Sequence, residues 1–487
     1  MIETIYGSIE QTKSNSFVPL LKNGRSLESK YNPEREAQSM LLQIEKPYSF
    51  FVVIGVGSGI FINELNNKFP QAIILGVENS SEDLLFLEQI ETFKRLKNNK
   101  NILLTCVSEL NSVLLNNYIP SLHGDIKIVF QKNWTTELPE SFENVKEIIQ
   151  KTIKEISQDY SVQAHFGRIW QKNILSNLKI LSESQKESEL KIDNSKIAAV
   201  IAAGPSLDNT ILELKNNRND YYIISTDTAF QSLIKYEIVP ELVVSIDGQS
   251  VSANHFISTI SSKTNFIFDL CANSSITRKL NKTDSNIYFF TNGHPLSNTA
   301  ALHTKPPLPL VYTGSGTVTI AALDIAIKSG FAKIQLFGAD FGYINNKPYT
   351  KGTYLDSLYT KSSNFIQSID KNFSTLMFRT ELKTVTQNKK TTDILEGYKL
   401  SLENYLVQQK LSFRIENNKY LISNPNTKSI SFKNSTFDFK SFLQLIDKKN
   451  FISLLPYIAW LRNQKEYRTM DFDNLLNLAY KEIVSYN

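Results

Sequence analysis

Residues Lys196–Gly248, KIAAVIAAGPSLDNTILELKNNRNDYYIISTDTAFQSLIKYEIVPELVVSIDG, decide the fold. An apolar run, Ile197 to Ala203, breaks at Gly204-Pro205-Ser206 and gives way to a helix-like segment. Two further apolar runs end at Ser225-Thr226-Asp227 and Ser245-Ile246-Asp247. Three strands thus release polar groups at their carboxyl ends, which in an open parallel sheet face one crevice, where doubly wound folds hold their ligands. Gly204 lets the backbone approach a ligand closely, and Pro205 and Ser206 open a helix whose free N–H groups attract an anion such as a nucleotide phosphate. The competing reading makes AGPSLD a strand-to-helix turn with Ser206 or Asp208 as its N-cap.

A second cluster, Tyr312–Tyr354, tips the balance towards a ligand: YTGSGTVTIAALDIAIKSGFAKIQLFGADFGYINNKPYTKGTY. Gly314-Ser315-Gly316 precedes a helix with Val318, Ala321, Ala322, Ile325 and Ala326 at helical spacing. Gly330 ends it, and strand Lys333–Phe337 runs into Gly338-Ala339-Asp340. Two anion-ready helix starts on one sheet can grip a phosphate and a ribose from both sides of the switch point.

The stretches IAAGPSL, STDTAF, SIDG and TGSGTVTIAALDIAIKSGFAKIQLFGADF resemble the central domain of the motility accessory factor glycosyltransferases. That domain is similar to the 6-hydroxymethylpterin diphosphokinase-like family and, more distantly, to bacterial CMP-sialic acid transferases. Leu27–Met40, LESKYNPEREAQSM, resembles an N-terminal segment of the same motility proteins. The resemblance implies a sialyltransferase-like catalytic domain that moves a nonulosonic acid, pseudaminic- or legionaminic-acid-like, from its CMP-activated donor to Ser or Thr of flagellin, a step needed for flagellum assembly and motility. It assigns donor binding to Gly204, Pro205, Ser206, Asp227, Asp247, Gly314, Ser315, Gly316, Tyr343 and Tyr349, with Asp340 as the catalytic candidate. The correspondence is uneven. Ala203 stands where sialyltransferases have Asn, Asp227 and Asp247 where they have Asn at the next two strand ends, and Asn388 where they have the histidine base.

Composition bounds the class. The chain has 487 residues, 41% hydrophobic and 11% aromatic, which suits folded domains, and its net charge of +5 is scattered rather than gathered into a nucleic-acid patch. Cys106 and Cys271 show neither metal spacing nor a disulfide framework. The first residues lack the features of a signal peptide, and no run approaches the roughly 18 apolar residues a membrane span needs, so a cytoplasmic protein without a membrane span is expected.

Three regions are expected within an α/β architecture: an N-terminal Rossmann-like domain with its connecting helix (1–181), a doubly wound central catalytic domain (195–360), and a mostly helical C-terminal region (361–487). In the first, SFFVVIGV, Ser49–Val56, runs into Gly55, Gly57 and Gly59, and a later strand ends at Glu78. This reads either as a cofactor fingerprint, with Glu78 on a ribose hydroxyl, or as glycines serving the packing of a ligand-free scaffold, and the second is preferred. Strands are expected at Ile102–Val107 and Ile126–Phe130, and helices at Glu82–Leu96, Phe142–Ile156 and Phe166–Leu181. The polar stretch Ser182–Asn194 serves as linker. Farther on, helices are expected at Ser363–Arg379, Ile394–Gln409, Phe437–Leu461 and Met470–Tyr486, and a hairpin at Ser412–Asn424. Tyr457, Trp460 and Tyr467 read as packing residues.

The base is unassigned. His294 and His303, just ahead of the Gly-Ser-Gly turn, are either loop histidines or replacement bases. Asp227 and Asp247 either bind ribose hydroxyls or Mg²⁺, or cap the helices that follow. Besides the transferase, two functions stay open: a 6-hydroxymethylpterin diphosphokinase-like pyrophosphoryl transferase using ATP and Mg²⁺, and a noncatalytic flagellin-binding accessory protein.

Overall fold

The computed structural model describes residues 4–183, 189–257, 263–314, 316–362, 373, 377, 380–446 and 448–486. The chain forms two compact units, one of Met1–Gly167 with Leu455–Leu476, the other of Arg168–Leu454 with Asn477–Asn487.

The first unit opens with an antiparallel pair, β1 (Tyr6–Gln11) and β2 (Phe17–Leu21), followed by helix α1 (Pro33–Leu42). A parallel sheet then forms from β3 (Phe50–Ile54), β4 (Ile73–Glu78), β5 (Ile102–Cys106) and β6 (Ile126–Phe130), in the order β5-β4-β3-β6. Every residue of β3 is fully buried, as expected for the continuous apolar run of a central parallel strand. Helix α2 (Ile60–Lys68) links β3 to β4. The single helix expected over Glu82–Leu96 is instead two, α3 (Ser81–Leu87) and α4 (Glu91–Leu96), because the chain turns at Glu88–Ile90 to bury Ile90 in the core.

The glycine-rich loop of this unit is filled from within. Gly55, Gly57 and Gly59 all adopt positive φ, at 85°, 55° and 82°. A Cβ on Gly55 would lie 2.8 Å from Trp134, and one on Gly57 would lie 2.8 Å from the Glu28 carboxylate. Glu28 accepts the Ser58 N–H and hydroxyl, both at 2.7 Å, so a side chain of the Leu27–Met40 segment takes the anion position at the start of α2. Glu78 accepts from the Tyr6 hydroxyl (2.9 Å), the Val56 N–H (3.1 Å) and Trp134 Nε1 (2.9 Å). With both carboxylates committed to protein donors, the geometry favours the packing reading. Burial lifts the Glu28 pKa to about 7 against the downward pull of the Ser58 hydrogen bonds.

Helix α5 (Pro139–Glu183) contains both the expected segments Phe142–Ile156 and Phe166–Leu181. In the second unit it places two buried asparagines against strand ends. Asn173 Nδ2 donates to the Gly248 and Cys271 carbonyls, and Asn177 Nδ2 to those of Leu270 and Ala272. Asn177 Oδ1 accepts from Thr277 Oγ1 at 2.6 Å.

The second unit is an eight-stranded sheet of β7 (Ile197–Ile201), β8 (Tyr221–Thr226), β9 (Leu242–Ser245), β10 (Asn265–Asp269), β11 (Asn286–Phe290), β12 (Lys333–Phe337), β16 (Ser412–Glu416) and β17 (Lys419–Ser423). Its order is β11-β10-β9-β8-β7-β12-β17-β16, and β7 to β12 are parallel to one another. Alternate residues of β7 enter different cores. Ala198 and Val200 pack with Ile320–Ala326 of helix α9 (Val318–Lys328), while Ala199 and Ile201 pack with Leu207, Ile211 and Leu214 of helix α6 (Leu207–Asn216). Both faces are covered, so the sheet is doubly wound. The expected hairpin Ser412–Asn424 forms β16 and β17 and extends this sheet by antiparallel pairing on β12.

The second unit also holds a small antiparallel set, β13 (Tyr343–Ile344), β14 (Lys383–Thr386) and β15 (Lys389–Thr391), with helices α10 (Asp393–Gln408) and α11 (Phe439–Leu445), whereas the later helix α12 (Leu455–Asn463) falls in the first unit and α13 (Phe472–Val484) begins there. Of the helix expected over Ser363–Arg379, only Phe373 and Met377 are among the described residues. Tyr457 is buried and its ring packs 5.4 Å from that of Trp460. Among the described residues, no helix is long and apolar enough to cross a membrane, and Cys106 and Cys271 are buried free thiols.

Candidate active site

The chain adds β8 to β11 on one side of β7, then returns to lay β12 on the other, so strand order reverses at β7. Ligands of open α/β sheets bind at the carboxyl ends of the strands at such a point. A cavity of about 300 Å³ lies there, lined at the strand ends by Gly204, Thr226, Thr228 and Asp340, and at the start of α9 by Thr317 and Thr319. Tyr343, Tyr349 and, from α10, Leu395 and Tyr398 complete its wall.

Gly204 lines this cavity, and its lack of a side chain also serves a contact within the protein. Its N–H donates to the Gly338 carbonyl at 2.8 Å, and a Cβ there would lie 2.3 Å from Gly338 O and 2.4 Å from Asp340 Oδ2. A Cβ on Gly338, at φ 64°, would lie 2.3 Å from Ala202 O. The two glycines let the turns after β7 and β12 touch. The anion attracted to the start of α6 is the protein's own, since Asp340 Oδ2 accepts the Ser206 N–H at 2.8 Å. Pro205 lies in this turn, and neither expected side chain caps the helix. Ser206 makes no side-chain cap bond, and Asp208 Oδ1 accepts instead from Thr350 Oγ1 and the Lys351 N–H. Together with Thr350 N–H on the Ala203 carbonyl at 2.9 Å, this pins the segment that carries Tyr349 over the crevice.

Asp340 lines the cavity, and among the described residues no hydrogen bond is made to its Oδ1. Burial raises the Asp340 pKa, while the bonds from Ser206 and the charge of Lys389 pull it back. Burial raises the Tyr343 pKa as well, so its phenol stays a proton donor.

The Tyr312–Tyr354 cluster supplies the opposite rim. Gly314 has φ 56° and packs tightly, a Cβ there falling 2.6 Å from Ile320 Cδ1, whereas a Cβ on Gly316, at φ 83°, would meet open space. Thr317 caps α9 by accepting from the Thr319 N–H. Ser315 lies outside the described residues.

Asp227 and Asp247 do not stand equally close to Gly204 in strand order. The neighbours of β7 are β8 and β12, so Asp227 and Asp340 flank it, and Asp247 follows β9, one strand farther out. Asp227 opens helix α7 (Asp227–Lys235), whose N-cap is Thr226. Its Oδ1 accepts the Thr228 N–H at 2.7 Å and its Oδ2 the Ser245 hydroxyl at 2.6 Å. Asp247 Oδ1 accepts the Gln249 N–H at 2.8 Å, and burial, then the Asp227 charge, raises its pKa. Among the described residues, no group of three or more His, Cys, Asp or Glu converges as a metal site.

Neither histidine singled out in the sequence lines the cavity. His294 is the N-cap of helix α8 (Pro295–Leu302), its Nδ1 accepting from the Leu296 N–H at 3.2 Å, and burial against Trp170 pulls its pKa down to about 3. His303 lines a separate depression with Lys305, Phe437 and Phe442. Asn388 is exposed in the turn between β14 and β15, where its carbonyl accepts the Asn345 N–H at 2.9 Å. Sequence reasoning passed over Thr226, Thr228, Thr317 and Thr319, although the hydroxyls of STDT and GTVT stand at the strand and helix ends it had marked. Leu395 and Tyr398 carry no local signal, since only folding brings α10 there.

Residues 172–346 match the family described as 6-hydroxymethylpterin diphosphokinase MptE-like. An uncharacterized protein of Treponema pallidum (strain Nichols) is 32% identical over 141 residues, covering 29% of this chain and 67% of that protein. A second from the same strain is 27% identical over 235 residues, 48% of this chain and 79% of its own length. The solved structure of MAf glycosyltransferase from Magnetospirillum magneticum AMB-1 aligns with 98% of this chain and 92% of its own, with a TM-score of 0.53 at 12% identity. Fold and crevice together define a doubly wound α/β protein with an MptE-like domain. Residues 172–346 carry the MptE-like domain, and the chain holds it within the fold of the MAf glycosyltransferase.

Proposed function

We propose that the chain is a glycosyltransferase that moves a nonulosonic acid from a CMP-activated donor to Ser or Thr of a protein acceptor, flagellin, in the cytoplasm. The observation that carries this reading is the cavity at the β7 switch point, where the start of α9 and two tyrosines face Asp340 within the fold of a glycosyltransferase. Such a transfer needs charge stabilisation on the departing phosphate and a base for the attacking hydroxyl. Backbone N–H groups and hydroxyls at Thr317–Thr319, with Tyr343 and Tyr349, supply the first. Asp340 Oδ1 supplies the second, its raised pKa suiting it to take a proton. Asp227 and Asp247 border the ribose side.

The MptE-like match favours a second reading, diphosphate transfer from ATP to a pterin. Asp227 and Asp247 would there be the residues to hold Mg²⁺, which would neutralise the charge that develops on the phosphates. Incubating the purified chain with flagellin and a CMP-nonulosonic acid, then weighing intact flagellin, tests the first reading. One added sugar mass per site is expected, lost in Asp340→Asn. Thermal stabilisation by ATP with Mg²⁺ and not by CMP would replace it with the second.

A further inference from the structure

Among the described residues the cavity lining contains no lysine or arginine, yet it carries the Asp340 carboxylate. A phosphate entering it finds neutral donors and one like charge, an arrangement that needs a cation. One lies beside a lining residue. Lys389, the first residue of β15, is half-buried, and its stem crosses the cavity-lining Gly342 so closely that a Cβ there would lie 2.9 Å from Lys389 Cε. Its ammonium is within ion-pair distance of no carboxylate among the described residues. The neighbouring cations are engaged, Lys390 with Asn346 Oδ1 at 3.2 Å and Lys399 with Glu403 at 3.8 Å.

We infer that Lys389 is the counter-ion for the phosphate of the nucleotide donor, an assignment that rests on the donor site proposed above. Burial and the Lys399 charge lower its pKa while Asp340 raises it, the electrostatics of a cation lacking a full counter-charge. An arriving phosphate supplies that charge. A Cβ on Gly342 would also lie 2.7 Å from the Lys390 carbonyl oxygen, so the glycine lets the β15 backbone and the lysine stem both lie against this wall of the cavity.

Calorimetry with CMP and with cytidine, on the wild type and on Lys389→Met and Lys389→Arg, tests this. The wild type should prefer CMP, Lys389→Met should lose tenfold or more in CMP affinity with cytidine binding unchanged, and Lys389→Arg should restore most of the loss. Labelling of wild-type Lys389 by an amine-reactive reagent, read by mass spectrometry, should be blocked by CMP and not by cytidine, a readout that needs no variant. Equal CMP affinity in wild type and Lys389→Met overturns the assignment while leaving the donor site standing. If ATP rather than CMP binds and Lys389→Met weakens it, the sugar-donor reading falls and the phosphate contact survives. If no nucleotide binds and labelling is indifferent to inorganic phosphate, both fall.

Discussion

Gly204→Ala separates two explanations of one residue. If the glycine exists to admit a ligand, the variant folds normally and loses only nucleotide binding. The structure says otherwise. The new methyl would lie 2.3 Å from the Gly338 carbonyl oxygen, which is backbone and cannot rotate away, and 2.4 Å from Asp340 Oδ2. Relief requires the turns after β7 and β12 to part, which stretches the Gly204 N–H to Gly338 hydrogen bond and the Ser206 N–H to Asp340 bond, both 2.8 Å. Overpacking a tight site costs about 1–3 kcal/mol. Stranding buried hydrogen-bonding groups adds about 1–3 kcal/mol, so a loss of roughly 2–6 kcal/mol is expected, a large share of the 5–15 kcal/mol typical of a domain. Denaturant unfolding followed by near-ultraviolet circular dichroism in the absence of any nucleotide measures it. A variant within about 0.5 kcal/mol of wild type, a shift small enough for an ordinary surface change, refutes the packing argument and returns Gly204 to the ligand.

Glu28→Gln tests the filled glycine loop of the first unit. Burial raises Glu28 from 4.5 to about 7, so the folded state holds a proton the unfolded state releases, and the stability this contributes is full below pH 4.5 and lost as pH rises through 7. Stability of the variant relative to wild type should therefore increase between pH 5 and pH 8, and identical pH dependence in chemical denaturation would show that the carboxyl is not buried there. Asn177→Ala leaves the Leu270 and Ala272 carbonyls without their side-chain donor, while the Thr277 hydroxyl keeps the Ser274 carbonyl. A loss of about 2 kcal/mol or more is expected at about 1–3 kcal/mol per stranded group, and a melting temperature equal to wild type contradicts the docking of α5. Addition of CMP at about 100 times its dissociation constant should stabilise the native protein by roughly 2.7 kcal/mol, and melting curves indifferent to every nucleotide would remove both enzyme readings.

The doubly wound class was legible in Lys196–Gly248 because strand and helix periodicities are local properties, written in consecutive residues, and the strand ends at Thr226, Asp247 and Asp340 follow from them. So was the crevice as a region, since parallel strands put their carboxyl ends on one edge. The hairpin at Ser412–Ser423 showed its alternation but not its partner, because which edge a strand joins depends on what β12 leaves unpaired. Strand order decided the rest. It set Asp227 and Asp340 beside Gly204 and moved Asp247 one strand out, although in the sequence each simply follows an apolar run. Whether a helix start greets a ligand or a carboxylate of its own chain is a matter of what lies across the gap. Asp340 closes α6 from 134 residues away, as Glu28 closes α2 from 30 residues away. Lys389 has the same origin, for a lysine in a polar hairpin reads as solvated surface until folding lays its stem over Gly342 and takes away the water around its charge.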